Sequence, residues 1–311
     1  MTTIYDIAKA VGCAPSTVSK YLTRNGYVSA ELSERIAQAM LALDYHYNGL
    51  ASQLSKQTSN RIGVLVPFLD HPYFQALITA ISVAAAAQGK EIVIMPTAYQ
   101  PLQERRYLSE LTHQLVGALI VTSHALPTAE ILNYQRFGTL VFCEDLAETT
   151  VSAVRTNRTA VLHQLFTRLQ ATAPTPTGLL LIRDPAVSRS TQEIFQAYQD
   201  VWGSAPAKTA IQYGCHNFQE GQAGMRRLLD ANPQLSAVVT ESDATAAGAL
   251  TVCQQAQRAV TVIGQGNQLP SQLMQFSSID QSTTAMGQAA VQLALSQHPA
   301  TRQVRFKINW R

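Results

Sequence analysis

Asp6-Ile7-Ala8-Lys9-Ala10-Val11-Gly12-Cys13-Ala14-Pro15-Ser16-Thr17-Val18-Ser19-Lys20-Tyr21-Leu22 reads as helix, turn, helix. Thr3 precedes an apolar stripe of Ile4, Ile7, Ala8 and Val11. That spacing of i, i+3, i+4 and i+7 is one face of a helix, and threonine is a suitable N-cap. Gly12 stands where the chain must leave the helix, and glycine enters left-handed space without a Cβ penalty. Pro15 suits the first turn of the next helix, because its missing N–H would have no partner there. Val18 and Leu22 lie four apart and face inward, which leaves Ser16, Thr17, Ser19 and Lys20 to face outward. Hydroxyls and an ammonium can bond base edges and phosphates, and a major groove admits a helix. Taken alone, the line also fits an ordinary helical hairpin in a core, since short motifs match by chance.

The next residues shift the balance. Val28-Ser29 followed by Glu31 and Glu34 has the form of a helix start, with a serine N-cap and acids in the first turn. Leu32, Ile36, Ala39, Met40 and Leu43 would be its buried stripe, completing a three-helix unit. Then comes Asp44-Tyr45-His46-Tyr47-Asn48-Gly49-Leu50-Ala51-Ser52-Gln53-Leu54-Ser55. Over these residues the chain resembles the lac-repressor (LacI/GalR) family of bacterial transcription regulators. The order Asp-Ile-Ala, Ser-Thr-Val-Ser, Val-Ser, Asn, Ala, Leu at this spacing carries the resemblance.

The resemblance implies roles for matching positions. Pro15, Ser16 and Lys20 occupy the recognition-helix slots that face base edges. Thr3, Tyr5, Thr17, Tyr45 and Asn48 fall where the family holds phosphates. Residues 48–55 match the hinge helix, whose Ala51 and Leu54 enter the minor groove. A leucine pair, one from each subunit, would unstack and kink a central step there. Two positions depart from the pattern. Lys20 stands where the family usually has arginine, so a point charge replaces the bidentate fork onto guanine. Ala14 stands at the usual serine cap, a change that costs about 1 kcal/mol of helix stability.

Charge adds little. The chain carries a net +3. In residues 1–60, Lys9, Lys20, Arg24, Arg35 and Lys56 face Asp6, Glu31, Glu34 and Asp44, a net of +1. Without a strongly basic stripe, each headpiece is expected to bind modestly, so that two are needed on one site.

Residues 55–60 form a short polar linker. Beyond it, short apolar runs alternate with helical patterns. Strands are expected at 62–67, 91–96, 118–123, 139–144, 179–183, 210–214, 237–241 and 260–264. Near-continuous Val, Ile and Leu suit strands buried on both faces, and the alternation argues for parallel sheets with helical crossovers. So many units exceed one comfortable core, which predicts two α/β subdomains. The fold class expected is therefore an all-α three-helix helix-turn-helix headpiece with a hinge helix, then an α/β core of two doubly wound subdomains. The resemblance implies that this core is like a periplasmic binding protein, with an effector between its subdomains. It also implies the boundaries: headpiece 1–47, hinge and linker 48–60, core 61–311. Within the core it gives an N-subdomain of about 61–157 and 283–301, and a C-subdomain of about 158–282 and 302–311.

In open parallel sheets ligands sit beyond the carboxyl ends of the strands. The candidates there are His71, Tyr73, Ser123, Glu144, Arg189, Asp243, Asn267 and Gln281. An aromatic platform with carboxylates, amides and an arginine suits a sugar or sugar phosphate. Each also has a plainer role: Tyr73 can pack at a helix start, Asp243 can cap a helix, and Glu144 can pair with an arginine. Family sugar sensors usually carry an arginine before a glycine-aromatic pair, where this chain has Thr191 and Ile194. They usually carry an aspartate after a late strand, where it has Gly266. Arg189 is the obvious substitute cation.

Several stretches resemble a catabolite-control branch of the family: His71-Pro72-Tyr73-Phe74, 119–123, 143–145, 242–248 and 264–267. That branch implies control of carbon-catabolic genes, with a phosphorylated phosphocarrier protein as a possible corepressor. The partners expected are thus double-stranded operator DNA, a second copy of the chain, and a small effector or that carrier. A local repressor induced by a sugar or sugar phosphate stays open, as does a sugar-binding module without DNA function. No nucleophile elbow or acid–base pair of suggestive spacing argues for an enzyme. Cys13, Cys143, Cys215 and Cys253 lie far apart without CxxC spacing, so no metal site or cofactor is expected. Met1–Asp6 lacks a basic and apolar leader, and the longest weakly polar stretch, 78–87, is too short to span a bilayer. No membrane association and a cytoplasmic location are therefore expected.

Overall fold

The computed structural model describes residues 2–23, 26–45, 59–144, 150–173, 175 and 177–311. Its two compact units are Met1–Thr58 and Ser59–Arg311.

Among the described residues the first unit holds three helices: α1 (Ile4–Val11), α2 (Pro15–Thr23) and α3 (Ala30–Ala42). Thr3 opens α1 in an extended conformation, and the Asp6 carboxylate accepts its N–H at 2.8 Å and its hydroxyl at 2.7 Å. Those hydrogen bonds hold the Asp6 carboxyl below its usual range. Gly12, at φ 72°, ends the helix, and the amides of Gly12 and Cys13 both bond the Ala8 carbonyl. Ser29 caps α3, its hydroxyl oxygen accepting the Leu32 N–H at 3.3 Å. Ile7, Ala8, Val11, Val18 and Ile36 form the core, with Leu22, Leu32, Ala39 and Met40 packed around it. Arg35 donates to the Val11 carbonyl at 2.6 Å, putting a cation on an orphan acceptor at the end of α1. One expectation is corrected: Leu43 is 37 % exposed, because α3 ends at Ala42 and the residue leaves the helical stripe.

Among the described residues the second unit contains two six-stranded sheets. The first has the order β11-β5-β4-β3-β1-β2, all parallel: β1 Arg61–Val66, β2 Glu91–Pro96, β3 Ala118–Val121, β4 Thr139–Phe142, β5 Ser152–Thr156 and β11 Thr301–Val304. The second has the order β12-β10-β9-β8-β6-β7: β6 Gly178–Leu180, β7 Ile211–Gln212, β8 Ala237–Thr240, β9 Thr261–Gln265, β10 Ser277–Asp280 and β12 Lys307–Asn309. Only β12 runs antiparallel to its neighbour. Strand order reverses between β1 and β3 in one sheet and between β6 and β8 in the other. Those two reversals are the switch points where such sheets open a crevice.

Four strands lie outside the apolar runs singled out by sequence. β5, β10, β11 and β12 read Ser-Ala-Val-Arg-Thr, Ser-Ser-Ile-Asp, Thr-Arg-Gln-Val and Lys-Ile-Asn. β11 and β12 are edge strands, so half their groups meet water. β10 is central yet buries two serines, whose hydroxyls bond Arg311 and Asp243. The chain passes from the first sheet to the second after β5. It returns after β10, where the Thr283–Ala294 helix packs on the Pro72–Ala87 helix of the first sheet. The third passage, expected near 302, lies a few residues later. Arg302, Gln303 and Val304 still pair with Val154–Thr156, so the chain crosses between Val304 and Lys307. Among the described residues no helix is long and apolar enough to cross a membrane.

Candidate functional site

On the headpiece, α2 begins at Pro15, which is half-buried. Ser16 and Lys20 are exposed one turn apart, while Thr17 and Ser19 are half-buried. Tyr5 is 69 % exposed, Thr3 is exposed, and Tyr45 is half-buried against the headpiece core. Asn48, Ala51 and Leu54 lie outside the described residues. The expected outward face of α2 is thus narrower than the sequence implies, because Val18 sits centrally and its neighbours are partly covered.

In the second unit, loops beyond the carboxyl ends of both sheets enclose a cavity of about 300 Å³. His71, Tyr73, Ser123, Glu144, Arg189 and Gln281 line it together. Asp243 and Asn267 do not. Asp243 is fully buried and accepts the Gln268 N–H and the Ser278 hydroxyl, each at 2.6 Å. The helix Asp243–Gln255 is capped by Ser242 instead, whose hydroxyl accepts the Thr245 N–H at 3.1 Å. Asn267 has φ 50°, and its side-chain oxygen accepts from Arg311 at 2.7 Å. Both residues hold the second sheet's loops and C-terminal segment together.

The cavity wall on the second-sheet side is an ionic network. Arg158, first residue of the Arg158–Thr172 helix, places Nε 3.1 Å from Glu193 and donates to Gln265 at 3.1 Å. Arg189, first residue of the Arg189–Trp202 helix, approaches the other Glu193 oxygen at 3.4 Å. Glu241, beyond β8, accepts the Ile182 N–H at 2.7 Å and the Ser190 hydroxyl at 3.1 Å. Thr191 and Ile194 are fully buried, and the Thr191 hydroxyl donates to the Arg183 carbonyl, so neither faces the cavity. Gln265 fills the place near Gly266, donating to the Thr240 carbonyl while accepting from Arg158.

On the first-sheet side the wall is aromatic. Phe68 meets Tyr99 edge-on at 5.5 Å, and Tyr73 meets Phe74 at 5.1 Å. Two contacts join the sheets' loops across the opening. The Arg183 guanidinium, after β6, lies 3.7 Å from the ring centre of Tyr99, after β2. Phe68, after β1, meets His216, after β7, at 6.4 Å. A cation over a tyrosine face is worth about 0.5–2 kcal/mol, more as water is excluded. Tyr99 also donates to Ser123 at 3.1 Å. Burial pushes the Glu144 carboxyl up, against His124 at 3.6 Å, and pushes the Cys143 thiol up to about 12. Cys143 therefore packs as a neutral thiol rather than a nucleophile.

His71 is a half-buried residue of this wall whose two ring nitrogens have no hydrogen-bond partner among the described residues. Burial first, then His216, holds its pKa down at about 4, with Asp70 opposing. Its folded value is lower than the 6.5 of a free histidine, so only the unfolded chain takes up the proton between pH 6.5 and 4. Stability is complete above pH 6.5 and falls through that window, by about 3 kcal/mol at most. Urea melts at pH 7, 5.5 and 4.5 should show this slope, and His71→Phe should flatten it. An unchanged slope in the variant would exclude His71 as its source.

Arg158, Arg183 and Glu193 were missed in the sequence. Arg158 follows β5, a strand too polar to be recognised, so its place at a strand end was hidden. Glu193 lies one turn inside a helix, where a carboxylate ordinarily reads as solvated.

Residues 59–303 match the family model for periplasmic binding proteins and the sugar-binding domain of the LacI family, and residues 3–48 match that for bacterial regulatory proteins of the lacI family. Catabolite control protein B of Bacillus subtilis is 29 % identical over 99 % of this chain and 98 % of its own length. The ribose operon repressor of Halalkalibacterium halodurans is 28 % identical over 80 % of this chain and 74 % of its own. A lac repressor dimer bound to operator and an anti-inducer superimposes with TM-score 0.79 at 20 % identity, covering 99 % of this chain and 97 % of that one. With a matched headpiece, two doubly wound sheets and a cleft at their switch points, the chain belongs to the lacI family of bacterial regulatory proteins and is a DNA-binding transcription regulator.

Proposed function

We propose that the protein acts in the cytoplasm as a dimeric repressor whose operator affinity is set by a small polyhydroxylated ligand, a sugar or sugar phosphate, in the inter-sheet cleft. The carrying observation is the cleft itself: aromatic faces on one side, guanidinium and carboxylate groups on the other, joined by Arg183 on Tyr99. Hydroxyls can donate to Glu241 and Glu144 and accept from the arginines, while the rings cover a sugar's apolar face. A ligand that fills this space changes the balance between open and closed cleft through direct contacts with both sheets' loops. Each headpiece would place Ser16 and Lys20 in one half-site of a near-palindrome, with Leu54 at the centre. Similarity to catabolite control protein B favours carbon-catabolic genes as targets.

A thermal-shift panel of sugars, sugar phosphates and nucleotides tests the ligand class, because a specific ligand raises stability by mass action. A hit should change operator affinity 5–150-fold, corresponding to a coupling of about 1–3 kcal/mol. For the DNA side, Lys20→Ala and Leu54→Ala should each weaken binding to a selected operator, by about tenfold for a loss of about 1.4 kcal/mol. Affinity should fall by about 0.9 log unit per log unit of salt for each phosphate held. Unchanged footprinting titrations for both variants would defeat the reading.

A further inference from the structure

Lys20 lies in the last turn of α2 and is exposed, and its stem passes beside Gly26. It occupies the side of Gly26 on which any other residue would carry its Cβ. A Cβ placed on Gly26 would lie 3.2 Å from Lys20 Cδ, 3.4 Å from Cγ and 3.7 Å from Cε. Three consecutive carbons of one lysine therefore occupy the space that a side chain at position 26 would enter. Gly26 has φ +121°, a region that L side chains rarely adopt. Glycine supplies both this backbone conformation and the bare face beneath the lysine.

This matters because lysine cannot aim itself. Its ammonium is a compact charge on a flexible four-carbon stem, whereas a guanidinium carries its own planar geometry. A stem already laid on backbone has fewer rotamers to freeze when the ammonium meets a base edge. We infer that Gly26 is a positioning residue for base reading: its bare backbone is a shelf that sets the direction from which Lys20 approaches DNA. The inference rests on the reading of Lys20 as a base-contacting residue proposed above. It places a specificity determinant outside the recognition helix, in the turn before α3.

The test uses the full chain and a duplex selected by it from a random library. Gly26→Ala, Lys20→Ala and the double variant are titrated against that duplex, against its single base-pair substitutions, and against a random-sequence duplex. Gly26→Ala should lower specific affinity about threefold to tenfold and relax discrimination at the same base pair as Lys20→Ala. It should add nothing in the Lys20→Ala background, as contacting pairs are non-additive. Random-duplex binding should stay within about twofold, since phosphate contacts carry no sequence information. Additive losses, or a uniform loss on every duplex, would overturn the role of Gly26. A Lys20→Ala without effect at any base pair would instead defeat the assignment of Lys20 itself. Should Gly26→Ala fail to fold, ¹³C relaxation of the Lys20 methylenes in the unaltered protein decides: restricted motion supports the shelf, free rotamer averaging overturns it.

Discussion

Glu193→Ala is expected to lower the stability of the core by about 2–4 kcal/mol, read as a fall in the urea midpoint with an unchanged slope. The carboxylate holds Arg158 at 3.1 Å and Arg189 at 3.4 Å, and the Arg158 side chain is only 15 % exposed. Removing it leaves Arg158, among the described residues, with the neutral Gln265 oxygen as its hydrogen-bond acceptor. An uncompensated buried cation costs more than the pair itself contributes. Arg189 is 52 % exposed and can turn to water, which keeps the effect below that of a fully buried pair. The same logic predicts partial recovery. Arg158→Met combined with Glu193→Leu should be less destabilised than Glu193→Ala alone, because the inner charges leave together. A double variant worse than the single would show that the network is not governed by the stranded cation.

Asp243→Ala should be at least as damaging, about 3–5 kcal/mol, since it strands a backbone N–H and a hydroxyl in a fully buried site. Asp243→Asn keeps the shape and one acceptor, so it should cost roughly half as much. The distinctive expectation is functional. A ligand that raises the melting temperature of the unaltered protein should raise that of Asp243→Asn by a similar amount, because Asp243 lies outside the cavity. Loss of the ligand shift without loss of stability would return Asp243 to the binding site.

Asp243 also marks the boundary of what a strand-end position tells. Glu241-Ser242-Asp243 follows an apolar run, and all three residues can in principle meet a ligand. The fold separates them. Glu241 lines the cavity, Ser242 caps the helix, and Asp243 turns inward to Ser278 and Gln268. Consecutive residues at a strand-to-helix turn point in different directions, and the turn's own dihedrals decide which. Arg158 and Glu193 fail in the opposite sense. They look ordinary in sequence because β5 lacks an apolar run and Glu193 carries no local signal. They become a pair only when two helices of the second sheet pack side by side.

The sequence by itself determined the headpiece helices, the alternation of strand and helix, and the family. These rest on local periodicity, capping and spacing, which act over a few residues and survive in one dimension. Asp6-Ile7-Ala8 through Leu22 needed nothing distant to be legible. The tertiary structure alone decided the rest. It assembled the cleft from loops far apart in the chain, set Arg183 over Tyr99, and brought the stem of Lys20 beside Gly26. Such contacts depend on strand order and loop direction, and no period in the sequence encodes either.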